Sequence, residues 1–132
     1  MTDHPAVDAM AFGEDTLARL RDMEEVRIET RRAVDGPTHR TIIWVVVDAH
    51  GRVLIRSVRG PRGRWYREAL AAPDCVLWIG REPLPVRVEL AADADRVATT
   101  TTGLVAKYAG SPSLPSMIRE DVLPTTLQLL PR

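Results

Sequence analysis

Six arginines and no acid lie between positions 52 and 67 (Arg52, Arg56, Arg59, Arg62, Arg64 and Arg67), in a chain of 132 residues whose 18 basic and 18 acidic side chains cancel. The stretch from Arg52 to Gly80, RVLIRSVRGPRGRWYREALAAPDCVLWIG, reads as strand, glycine-rich basic loop, helix, strand. A turn that ends a strand and opens a helix leaves backbone N–H groups without intrachain partners, and the helix dipole adds partial positive charge there. Guanidinium groups extend such a turn with planar forks of donors. The chemistry on offer is retention of a phosphate or carboxylate. The competing reading is a solvated basic turn, which charge clusters usually are.

Around this loop, hydrophobic periodicity sets out the elements. Glu14 and Asp15, followed by Leu17, Leu20 and Met23 on one face, predict a short helix. Val26, Ile28 and Thr30 alternate with charged residues and predict a half-exposed strand over 24–33, closed by a turn at Asp35-Gly36-Pro37. Residues 39–48, HRTIIWVVVD, are β-branched and continuously apolar in the middle, which predicts a central strand covered on both faces. A hairpin at Ala49-His50-Gly51 returns its partner over 52–58. Past the basic loop come a helix over 65–72, a buried strand over 75–79 and a strand through Val86, Val88 and Leu90.

Residues 94–109 read as a helix capped by Asp93, although the threonine run 99–102 is a poor helix former. Residues 114–120 read as one or two helical turns, and 122–130, with Pro124 inside, as an edge strand. Five or six short strands joined mostly by hairpins predict a mainly β (α+β) fold, a small antiparallel barrel of about six strands with three to four short helices. There is no regular strand–helix alternation and no GxGxxG after the first strand, so a parallel doubly wound sheet is disfavoured.

The length fits one domain over 12–132 behind a tail of residues 1–11. Zero net charge and a pI near 6.8 give no general attraction to nucleic acid or to an anionic membrane, so any anion binding is local. The N-terminal stretch carries acids rather than a basic start and an apolar run, and no segment approaches a membrane span; a cytoplasmic location is expected. The single cysteine, Cys75, excludes an internal disulfide and reads as a buried structural thiol. His4, His39 and His50 show no metal-ligand spacing, and no GxSxG, HExxH or P-loop is present.

The order THRTIIWVVVDAHGRVLIRSVRGPRGRWYREALAAPDCVLWIGREPLPVRVELAAD resembles the flavin-binding split-barrel superfamily, pyridoxamine-phosphate-oxidase-like, and within it the deazaflavin (F-420) dependent nitroreductase branch. The likeness is carried by Arg40-Thr41 at the opening of the 39–48 strand, the hairpin at His50-Gly51, and a strand running into a basic glycine loop. Trp65-Tyr66-Arg67 at the helix start, Leu70-Ala71-Ala72-Pro73 at its end and Val86-Arg87-Val88 complete it. FGEDTLARLRDMEEVRIETRR ahead of that core is similar to a subgroup whose members are mostly of unknown function, so the resemblance extends from about Phe12 to Pro131.

The resemblance implies a split barrel with a small-molecule cofactor, FMN or F-420, in a groove along it, and hydride transfer to or from a small organic substrate. By position, Arg40 and Arg59 would meet the phosphate or acidic tail, the backbone at Val58 and Gly60 would line the same pocket, and Trp65 would border the ring. Tyr108 would stand near the substrate. Among the residues themselves, Arg64 belongs to the same cluster, and Ser57 could donate to a phosphate or serve its strand neighbours. Arg40 could equally pair with Glu29 or Glu89 across the sheet, Trp44 and Trp78 suit a core, and Tyr108 suits packing. Glu68 stands where the nitroreductase branch often has asparagine, and Pro61 in a glycine position. A non-catalytic carrier or sensor of a phosphorylated ligand is the alternative function, and a partner-binding domain a third. The resemblance allows a homodimer as well as a monomer.

Overall fold

The computed structural model describes residues 11–132, so the expected N-terminal tail, save Ala11, lies outside the described residues. Helix α1 (Glu14–Asp22) has its acids in the first turn and buries Leu17 and Leu20, as the dipole and the spacing require. Strands β1 (Val26–Arg31), β2 (Thr38–Ile43), β3 (Val46–Val47) and β4 (Val53–Arg56) follow. After a 3-10 turn at Gly60–Arg62 come α2 (Arg64–Ala71), β5 (Asp74–Ile79) and β6 (Glu82–Leu90). Helices α3 (Ala94–Lys107) and α4 (Leu114–Met117), a 3-10 segment at Glu120–Thr125 and β7 (Thr126–Pro131) complete the described chain.

All seven strands belong to one sheet in the order β2-β1-β5-β6-β7-β4-β3, and every pairing is antiparallel. The two edge strands, β2 and β3, are separated in sequence only by Trp44 and Val45. A sheet whose opposite edges are joined by two residues must curl until those edges meet. The result is a split antiparallel barrel, mostly β, of seven strands rather than about six.

The expected central strand over 39–48 is therefore two edges. β2 pairs only with β1, from Val26↔Ile43 to Arg31↔Thr38, and β3 only with β4. Ile43 and Val45 pack inside the barrel while Val46 packs in a second cluster beneath α3, so a run that serves two cores reads as one strand buried on both faces. The C-terminal strand is also corrected. β7 is not an edge but lies between β6 and β4, because Pro124 sits in the preceding 3-10 segment, outside the ladder.

Inside the barrel, Leu20, Ile28, Ile55, Leu77, Val86 and Leu127 form the core with Trp65, Tyr66 and Ala69 of α2. Each such large apolar side chain contributes about 1.5–3 kcal/mol by leaving water. The second cluster places Leu104 and Tyr108 of the α3 region over Val46 and Leu54. Asp93 caps α3 by accepting from the Arg96 N–H at 3.1 Å.

Candidate functional site

All four residues of β4 are buried, because Val53 and Ile55 face the barrel core while Leu54 and Arg56 face the layer formed by α3 and α4. Arg56 is only 2% exposed. Its Nε donates to Thr126 Oγ1 at 2.9 Å, its Nη1 to Thr101 Oγ1 at 2.9 Å and to the Met117 carbonyl at 3.1 Å, and its Nη2 to the Val97 carbonyl at 3.0 Å. Every acceptor is neutral, and among the described residues no carboxylate pairs with Arg56. Burial brings the guanidinium down to about 10, which leaves it charged at neutral pH. Desolvating a cation without a counter-charge costs several kcal/mol, and such groups cluster at functional sites.

The loop that follows is fixed by its own polar atoms. Ser57 Oγ donates to the Gly60 carbonyl at 2.8 Å, and the Ser57 N–H donates to Thr125 Oγ1 at 3.2 Å. Gly60 has φ +67°, a conformation that favours glycine. At Gly63 a Cβ would stand 2.6 Å from Ser57 Oγ, so only glycine permits this approach. The turn thus delivers Arg59, Gly63, Arg64 and Trp65 to one surface.

That surface is one wall of a groove of about 640 Å³, within the range of small-molecule sites. Arg56, Val58, Arg59, Arg64 and Trp65 line it from β4 to α2, and Thr41, Ile42, Ile43 and Trp44 from β2 and the link to β3. Glu24 and Glu25 add two acids from the connection between α1 and β1, and Met117 comes from α4. Positive charge is concentrated on one wall and aromatic surface stands on both. Trp44 is held by a parallel stack on Tyr108, with ring centroids 4.0 Å apart and planes within 3°. Among the described residues neither Arg59 nor Arg64 makes an ion pair, whereas Arg40 of β2 pairs with Glu29 and Arg96 of α3 with Glu89 and Asp93.

Of the residues singled out in the sequence, Val58, Arg59, Arg64 and Trp65 line this groove, and four others do not. Arg40 is on the outer face of the sheet: its Nε donates to Glu29 Oε1 at 3.0 Å and its guanidinium lies 3.9 Å over the Trp78 ring. Arg40 and Glu29 are register partners, so the cross-strand alternative is the one realised. Ser57 and Gly60 are buried and bonded to each other's loop, with the Gly60 N–H donating to the Ser57 carbonyl at 3.0 Å. Tyr108 is 3% exposed; its hydroxyl donates to the Glu24 carbonyl at 2.6 Å and accepts from the Val45 N–H at 3.2 Å. Burial pushes its phenol up to about 12, the opposite of what a proton donor to substrate needs.

Sequence reasoning missed Arg56 as a site residue; its assignment of Trp44 to a core holds in that Trp44 packs half-buried against the second cluster, but the same ring also lines the groove. The available signal for Arg56 was its place at the end of an uninterrupted apolar strand, Val53-Leu54-Ile55, where a charged residue breaks the pattern. Among the described residues no group of three or more His, Cys, Asp or Glu is placed to hold a metal ion, and no helix is long and apolar enough to cross a membrane.

Comparison with known proteins adds family and fold. A family model described as "Uncharacterized protein conserved in bacteria (DUF2255)" matches residues 16–129. No curated protein matches the chain. Among solved structures, a protein of unknown function from Agrobacterium tumefaciens aligns with TM-score 0.66 at 13% identity, over 98% of this chain and 56% of its own. This chain therefore spans little more than half the length of that relative. A putative pyridoxamine 5'-phosphate oxidase from Listeria innocua aligns with TM-score 0.63 at 14% identity, over 90% of this chain and 92% of its own. An F-420-H2 dependent reductase aligns with TM-score 0.56 at 16% identity, over 81% and 93%. These similarities establish the pyridoxamine-phosphate-oxidase-like split barrel as the fold.

Proposed function

The chain belongs to the DUF2255 family, and from that premise we propose that its groove binds a phosphate-bearing flavin or deazaflavin, FMN or F-420, for hydride transfer to or from a small organic substrate in the cytoplasm. The observation that carries this reading is Arg56, a buried cation satisfied only by neutral acceptors, lining a groove whose same wall holds Arg59 and Arg64. Missing negative charge at a prepaid positive site is supplied most directly by a ligand anion. Trp44 and Trp65 offer faces and edges to a flat ring. Solved relatives on this fold include a putative pyridoxamine 5'-phosphate oxidase and an F-420-H2 dependent reductase, which makes both cofactors candidates.

When bound, the cofactor supplies the hydride chemistry. The chain's part is to orient it: Arg59 and Arg64 attract its anionic group, Arg56 fixes the positive potential of the wall, and Trp44, Trp65 and Ile42 exclude water from the ring. A second reading, a carrier or sensor without turnover, is favoured by Tyr108, whose hydroxyl is tied to the backbone and is not available as an acid at the groove. Titrating the protein with FMN and with F-420 by fluorescence quenching tests binding. Assaying reduced F-420 with nitroaromatic, quinone and enone acceptors then separates the two readings. Failure of both cofactors to bind below high micromolar concentration would sink the proposal.

A further inference from the structure

A second cavity, of about 610 Å³, is lined by Arg32, His39, Arg64, Arg67, Glu68 and Ala71 and shares only Arg64 with the groove. At its base Glu68 is 7% exposed. Its Oε1 accepts the Thr30 hydroxyl at 2.8 Å and lies 3.1 Å from His39 Nδ1. Thr30 and His39 face each other in the β1–β2 register, so two strands present both partners to the one carboxylate of α2. Burial alone would raise this carboxyl, but the bonds from His39 and Thr30 and the nearby charge of Arg64 hold it below its ordinary value. It is therefore ionised and can only accept. His39 Nδ1 must carry the proton, which leaves Nε2, on the far edge of the ring, for another partner.

The rest of the lining is cationic. Among the described residues Arg32, Arg64 and Arg67 make no ion pair, and Glu68, the only acid in the lining, is already engaged. We propose that this cavity is a second anion site, for a phosphate monoester, in which His39, oriented by Glu68, acts with Arg32, Arg64 and Arg67 on the phosphoryl oxygens. Three guanidinium forks match the oxygens and charge of a dianion; a single carboxylate would leave most of them unmatched. This inference does not rest on the groove's cofactor, because Arg32, His39 and Arg67 lie outside the groove.

The test is the NMR titration of the His39 ring in the full chain, with its signal assigned through His39→Gln. The groups that share the cavity with that ring are Glu68, Arg64 and Arg67 from α2 and Arg32 after β1, with Thr30 of β1 opposite it in register. Inorganic phosphate should shift the His39 ring signal in a saturable, dose-dependent way. Acetate at equal ionic strength should leave it in place. Arg67→Ala and Arg32→Ala should each weaken phosphate about fivefold or more, the size of one exposed charge-assisted contact, while FMN binding stays within about twofold. Should His39→Gln fail to fold, the two exposed arginine variants carry the test. Equal responses to phosphate and acetate, or wild-type phosphate affinity in both arginine variants, would overturn the proposal.

Discussion

Arg56 Nη1 lies 2.9 Å from Thr101 Oγ1, joining β4 to α3 across 45 positions of sequence. The contact gives a reason for β-branched residues inside a helix: Thr101 answers a buried guanidinium, and Thr100 returns its hydroxyl to the Arg96 carbonyl at 2.6 Å. Helix propensity yields here to the need for neutral acceptors around a charge.

Replacing Arg56 by methionine keeps the volume and removes the charge. The variant loses four hydrogen bonds of about 0.5–1.5 kcal/mol each but also the desolvation cost of an unpaired cation, so stability should stay within about 2 kcal/mol of wild type. Affinity for FMN or F-420 should fall about tenfold or more. Urea unfolding and a binding titration on the same preparation separate the effects. Binding unchanged beside a loss above about 4 kcal/mol would make Arg56 purely structural.

Gly63→Ala places a methyl 2.6 Å from Ser57 Oγ, and should cost about 1–3 kcal/mol by overpacking. Adding Ser57→Ala removes the clashing atom. The double variant should be more stable than the sum of the single losses, by about 0.5 kcal/mol or more, in a double-mutant cycle. Strict additivity would contradict the clash.

Tyr108→Phe deletes a hydroxyl bonded to the Glu24 carbonyl and the Val45 N–H. Stability should drop by about 1–3 kcal/mol, since a buried N–H and a carbonyl are left unsatisfied. Cofactor affinity should change less than about twofold, because the groove keeps its lining. A selective loss of turnover with normal stability would restore Tyr108 to the substrate side.

Lys107 gives a pH prediction. Its ammonium donates to the Leu20 and Val45 carbonyls at 2.9 and 2.8 Å, and burial brings it down to about 8. Between about pH 8 and 9 the folded chain has released a proton that the unfolded chain keeps, so this group makes stability rise with pH. Above that window the Cys75 thiol, pushed up to about 11 by burial, works in the opposite sense. Urea midpoints at about pH 7.5 and 9 should show the rise in wild type and its loss in Lys107→Met.

Much of the architecture was legible because it is local. Alternation at Val26, Ile28 and Thr30, the glycine turns at Gly51 and Gly80, and Asp93 before an apolar-faced helix each state their own conformation. What stayed hidden depends on three-dimensional closure. Residues 39–48 look uniform although the chain changes sheet edge at Trp44-Val45, and Pro124 looks like part of a strand that starts two residues later. The basic loop was readable as a loop, but its six arginines are alike in sequence. Only the fold separates Arg56, buried among neutral acceptors, from Arg52, paired with Asp48. Glu68 is likewise placed only by the fold, which brings Thr30 and His39 of two strands to its carboxylate.

The most direct measurement is a titration of wild type, Arg56→Met and Arg59→Ala/Arg64→Ala with FMN and with F-420 at low and high salt. The expected result is binding to wild type that weakens as salt rises, with an affinity loss of about tenfold or more in both variants and a shallower salt dependence in the double variant. Absence of binding to wild type, or equal affinity across all three proteins, would contradict an anion seat in this groove.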